Sequence, residues 1–180
     1  MPPQPEGVYA FTQRKVNWVA AKGSDRYRRA MYTKFYRSAP YPLLTTFDSP
    51  DFQSVCTARI RSNTPLQALT LANDEALFEL AQGLGVRLMN EVRGTGESAR
   101  RSRIRHGFVL SLSRQPSEEE VDAVSAFQKA QVARFQRDPE GAVKVAPPQY
   151  PEDLFEVASA AAWTAVARAL MNTDEFITRE

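Results

Sequence analysis

The chain has 180 residues, 23 Lys and Arg, 21 Asp and Glu, one His and one Cys, for a formal charge of +2. One cysteine excludes an internal disulfide framework and one histidine excludes a multi-histidine metal centre. Apolar residues make up 43% and charged residues 24%, which excludes general disorder; a compact chain of this size buries roughly 70% of its extended surface.

Charge and aromatic content divide the chain. Residues 1–62 hold ten Lys and Arg against four Asp and Glu, and ten of the eighteen aromatic residues. Residues 63–180 hold thirteen against seventeen. The first part therefore reads as a basic, aromatic arm with one helix and a loop, and the second as a helical bundle. Residues 1–23 carry Pro2, Pro3 and Pro5 and read as extended. Tyr27, Met31 and Phe35 recur every fourth residue and predict a helix from about Asp25 to Arg37, ended by Pro40 and Pro42. Residues 39–62 read as a loop.

Asn63-Thr64-Pro65 is a helix start, with Leu66, Leu69 and Ala72 expected on the buried side. Asn73-Asp74 breaks and restarts the helix, and Leu77, Leu80, Leu84 and Leu88 form the next stripe, weakened by Gly83 and Gly85. Gly94-Thr95-Gly96 predicts a turn, and Ile104, Phe108 and Leu112 mark another helix. Ser117 with Glu120 forms a capping box, opening a helix through Val121, Val124, Phe127, Val132 and Phe135 to about Arg137. Asp138-Pro139 stops it, and residues 139–151 read as a loop. A last helix from about Glu152 to Met171 buries Phe155, Ala158, Ala162, Val166 and Leu170, and its small residues permit close packing. The fold class is all-α: a bundle of about four or five helices, with an irregular arm plus one helix.

Few residues offer chemistry. His106 is the single candidate base, yet no nucleophile motif accompanies it, and a helical histidine among arginines accounts for it. Cys56 reads as a small buried residue, or as one half of a pair with a cysteine outside this chain. Asp48 and Asp51 can flank a substrate or cap turns. Arg26, Arg28, Arg29, Arg37, Arg59 and Arg61 fall among Trp18, Tyr27, Tyr32, Tyr36 and Tyr41. Arginine forks with aromatic faces suit an anionic glycan; the alternative is that the arginines pair with acids and the rings are core. Nucleic acid could use the same surface, though none is expected, and the net charge of +2 favours the pairing alternative. The candidate binding residues are Arg26, Tyr27, Arg28, Arg29, Asp48, Arg59 and Arg61. Arg26, Arg29, Arg59 and Arg61 are expected to converge near Asp48 and hold the 39–62 loop. No metal site and no cofactor is expected in this chain, and no run approaches the roughly 20 apolar residues of a membrane span.

One pattern is more specific. It consists of Asp25-Arg26-Tyr27-Arg28-Arg29-Ala30-Met31-Tyr32-Thr33, Phe47-Asp48-Ser49-Pro50, Cys56, Arg61-Ser62-Asn63-Thr64-Pro65-Leu66-Gln67-Ala68-Leu69 and Asn73-Asp74, with an ending from Ala162 to Glu180. It resembles the C-terminal domain of unknown function 1553 of large planctomycete and verrucomicrobial proteins. Phe52-Gln53-Ser54 departs from the family's usual x-Arg-Glu before the cysteine. The resemblance implies a C-terminal fragment of an exported or periplasmic protein, truncated at the N-terminus of its folding unit and partnered by the missing part. The first residues have no signal-peptide pattern. The family often carries a cytochrome-c-like domain upstream, and its haem motifs are absent here. The expected role is a non-catalytic binding or scaffolding module. The alternatives are part of an enzyme acting on sulfated polysaccharide and an accessory domain of a c-type cytochrome protein.

Overall fold

The computed structural model describes residues 3, 7, 18–36, 40–50, 55–58 and 62–178. The protein is all-α: eight α-helices and no strand occur among these residues. They are α1 (Pro42–Thr46), α2 (Pro65–Asn73), α3 (Glu75–Glu91), α4 (Gly96–Leu112), α5 (Glu118–Arg137), α6 (Pro139–Val145), α7 (Val157–Met171) and α8 (Asp174–Ile177). The chain forms two compact units, residues 1–76 and 77–180. No helix among the described residues is long and apolar enough to cross a membrane.

Unit 1 is built around aromatic rings rather than a helix stripe. Trp18 stacks on Tyr41 at 5.5 Å and lies tilted against Tyr36 at 6.4 Å. Tyr41 is buried, and its hydroxyl donates to the Pro3 carbonyl at 3.3 Å. The helix predicted from Asp25 to Arg37 is instead two 3-10 turns, Gly23–Tyr27 and Ala30–Tyr32, separated by extended Arg28 and Arg29. Met31 is 74% exposed and Tyr27 is exposed, so the segment has no buried face to offset the cost of helix nucleation. The arm's α-helix lies at α1, where Pro42 occupies the first turn. At α2 the expected start is present. Thr64 and Gln67 form a full capping box with Pro65 at the first position. The expected buried side is not: Leu66 and Leu69 are 60% and 59% exposed, while Gln67 is fully buried.

Unit 2 wraps α7. This helix is buried on most of its circumference by Ala158, Ala160, Ala161, Ala162, Trp163, Thr164, Val166, Ala167, Leu170 and Met171, the pattern of a central helix. Leu88, Met89, Ile104, Phe108, Val121 and Phe135 from α3, α4 and α5 complete the core. Close approach is made by glycine. A Cβ on Gly85 would lie 3.2 Å from the Thr164 amide nitrogen, so α3 meets the α7 backbone directly. Gly83 has open space around it. Ser117 and Glu120 form the expected capping box of α5. The loop expected over 139–151 contains α6. Asp138 ends α5, but its carboxylate also accepts from the Gly141 amide at 2.9 Å, and Pro139 opens the new helix. The last long helix begins at Val157 rather than near Glu152, and α8 follows it.

Candidate functional site

In unit 1 the sequence-chosen residues are divided among separate partners. Arg26 pairs with Glu75 at 2.8 Å, and Arg28 with Asp25 at 2.6 Å. The Arg28 guanidinium also lies 5.7 Å from the Tyr32 ring centre. Arg29 and Tyr27 are exposed. Arg59, Arg61 and Asp51 fall outside the described residues.

Asp48 is the centre of a polar knot. It sits in the left-handed region at φ 55°, a conformation that Asp tolerates better than most residues. Its carboxylate accepts from the Ser62 amide at 2.9 Å, the Ser62 hydroxyl at 2.7 Å and the Gln67 side chain at 3.4 Å. Gln67 Nε2 donates to the Thr46 carbonyl and to Ser62 Oγ, both at 2.9 Å. Gln67 Oε1 accepts from the Thr64 amide at 2.9 Å. The loop is thus fastened to the start of α2 through a buried amide, a neutral group that charge pattern does not single out. Cys56, expected to be buried, is exposed and unpaired with any cysteine of this chain. The preceding Val55 is exposed too.

In unit 2 the charged side chains tie helices together. Arg101 bridges Glu118 at 2.7 Å and also Asp122, and Arg105 meets Glu118 at 2.7 Å, joining α4 to α5. The Arg105 and Arg101 hydrogen bonds lower the Glu118 pKa. Arg114 grips Glu120 at 2.7 and 2.9 Å and Glu175 at 2.7 and 2.8 Å. Those two carboxylates push the Arg114 pKa up, Glu120 contributing most. Arg114 in turn holds the Glu120 carboxyl at about 2, with help from the Ser117 amide. This network lines an open groove with Phe108, Leu112 and Thr178. His106 lies 2.6 Å from Glu91, which is also bonded by Arg87, and both partners lower the Glu91 pKa. That is a surface helix pair, in keeping with the plainer of its two readings.

A different site lies where α4 begins. Arg103 is 3% exposed, with one guanidinium nitrogen donating to the Gly94 carbonyl at 2.6 Å. Its carbon centre sits 4.7 Å from the Phe155 ring and 5.9 Å from the Trp163 ring. Burial lowers its pKa, and the like charge of Arg100 adds to the effect. A cavity of about 160 Å³ opens here, lined by Arg103, Gln128, Phe155, Trp163 and the Gly94-Thr95-Gly96 turn. Sequence reasoning missed it, because Arg100 to Arg105 reads as a solvated basic run.

Residues 1–128 match the model of a family described as PSD1, a protein of unknown function (DUF1553). The chain belongs to this family. No curated protein and no solved structure is significantly similar to it. The stretch matched to the PSD1 family takes in Asp48, Arg103 and Gln128, while Phe155 and Trp163 lie beyond it.

Proposed function

We propose that the chain is a non-catalytic helical binding or scaffolding module of a larger exported protein. The observation that carries this reading is the apolar surface of unit 1. Val19, Met31, Tyr32, Val55, Leu66 and Leu69 are each more than half exposed. Single exposed apolar residues are ordinary, but a concentration of large ones in so small a unit is characteristic of a contact surface. Leu66 and Leu69 stand three residues apart on α2, hence on one face of it. The partner is the remainder of the parent protein's own domain, in line with the family resemblance. Arg28 and Arg29, exposed beside Tyr27 and Tyr32, are the proposed contacts for an anionic glycan. A carboxyl held at about 2, as at Glu120, cannot trade protons near neutrality, which favours structural over acid–base use of that network. The chain is proposed to carry no cofactor of its own, so haem staining after expression should be negative.

The test is Leu66→Ser combined with Leu69→Ser. Both side chains are exposed, so helicity and melting should be unchanged. Fully burying a leucine is worth about 1.5–3 kcal/mol, and about 1.4 kcal/mol is tenfold in affinity. Association with the upstream part of the parent protein should therefore fall at least about tenfold. Unchanged affinity in the double variant would refute the reading. Turnover of a sulfated polysaccharide by the parent protein, abolished by Asp48→Asn without loss of fold, would favour the enzyme instead.

A further inference from the structure

We infer that the cavity at the start of α4 is a binding site for a small hydroxycarboxylate, a monoanionic carboxylate with a hydroxyl beside it. The inference stands apart from the apolar surface of unit 1, since every group it uses belongs to unit 2.

Arg103 is almost fully buried and forms no ion pair with any described carboxylate. Burial is the larger force on its pKa, and the charge that adds to it is the like charge of Arg100. Burying an unpaired charge is expensive, and the contacts with Phe155 and Trp163 offset only part of that cost. Nearby Glu97 is shared by Arg100 and by Lys129 at 2.9 Å, and Lys129 is more than half exposed, so water screens its charge. Arg103 is the buried charge left without a partner among the described residues, and a carboxylate supplies one.

The hydrogen-bond inventory sharpens the assignment. Arg103 has spent one donor on Gly94, but its Nε–H has no acceptor. Gln128 is 4% exposed, and its Oε1 has no donor. Both residues line the same cavity. Two unsatisfied buried groups of opposite polarity call for a ligand presenting an anionic acceptor to the arginine and a hydroxyl donor to the amide. Thr95 stands at the N-cap of α4 with no side-chain cap bond, so the positive end of a seventeen-residue helix faces the same space. The volume, about 160 Å³, leaves room for a compact organic acid.

The probes are glycolate, acetate, ethylene glycol and sulfate, titrated into the full chain at fixed pH and ionic strength. Calorimetry and the ¹⁵N resonance of Arg103 Nε serve as readouts. Glycolate should bind saturably, with a Kd on the order of 1 mM, and shift that resonance. Acetate should bind about tenfold more weakly for want of the second bond, and ethylene glycol should not bind. Arg103→Met should abolish glycolate binding, and Gln128→Leu should reduce it to the acetate level. Gln128→Leu removes no charge, so it keeps the test valid if Arg103→Met fails to fold. Absence of saturable binding by wild type would overturn the site. Equal affinity for acetate and glycolate, or tighter binding of sulfate, would overturn the ligand class.

Discussion

Alanine at Gly85 and at Gly83 should have opposite effects on stability. Both positions lie in α3, so each gains the same intrinsic helix preference of about 0.5–1 kcal/mol on replacement of glycine. At Gly83 the new methyl meets nothing within 4 Å. At Gly85 it lies 3.2 Å from the Thr164 nitrogen, 3.3 Å from the Trp163 carbonyl carbon and 3.4 Å from its oxygen. These are backbone atoms of the central helix and cannot rotate away, so α3 and α7 must part. Overpacking of this kind costs about 1–3 kcal/mol. Gly83→Ala should raise stability by about 0.5–1 kcal/mol, and Gly85→Ala should lower it by up to about 2 kcal/mol. For a chain of this length each kcal/mol moves Tm by about 2–4 °C. Thermal and urea melts followed by far-UV circular dichroism measure both. A Gly85→Ala protein as stable as Gly83→Ala would show that the two helices do not meet at that distance.

Other consequences follow from the polar groups. The Glu120 pKa is depressed from 4.5 to about 2 in the folded chain, so its contribution is complete above pH 4.5 and is lost as pH falls toward 2. The advantage of wild type over Glu120→Gln in urea midpoint should therefore be largest above pH 4.5 and nearly vanish at pH 2; a pH-independent gap would contradict the pairing with Arg114. Gln67→Met keeps the volume at the centre of the polar knot but removes its amide, leaving the Thr46 carbonyl, Ser62 hydroxyl and Thr64 amide short of partners. The cost should be about 1–3 kcal/mol, read as faster proteolysis between residues 46 and 65; unchanged cleavage would show that the amide does not fasten the loop.

Much of the helical part was legible because capping chemistry is local. Thr64-Pro65 and Ser117 with Glu120 both start helices where the residues said they would. Asp138-Pro139 carries the same signal as Thr64-Pro65, yet it follows a helix and reads first as a stop; it is both. The i, i+4 spacing of Tyr27 and Met31 misled, since periodicity buries a face only where a partner element exists to receive it. Leu66 and Leu69 failed for the same reason. Arg103 was hidden by its type, because arginine among arginines implies solvent. Its helical phase carried the better clue. It lies one turn before the buried Gly107, beside Ile104 and Phe108, on the face that meets Leu88 and Leu170.

The proposal that unit 1 is a contact surface is tested most directly by hydrogen exchange, comparing this chain alone with the same residues in the parent protein. The account predicts that amides in residues 18–36 and in α2 gain protection in the parent, while those of α7 exchange at the same slow rate in both. Identical exchange of residues 18–36 and α2 in the two settings would contradict it.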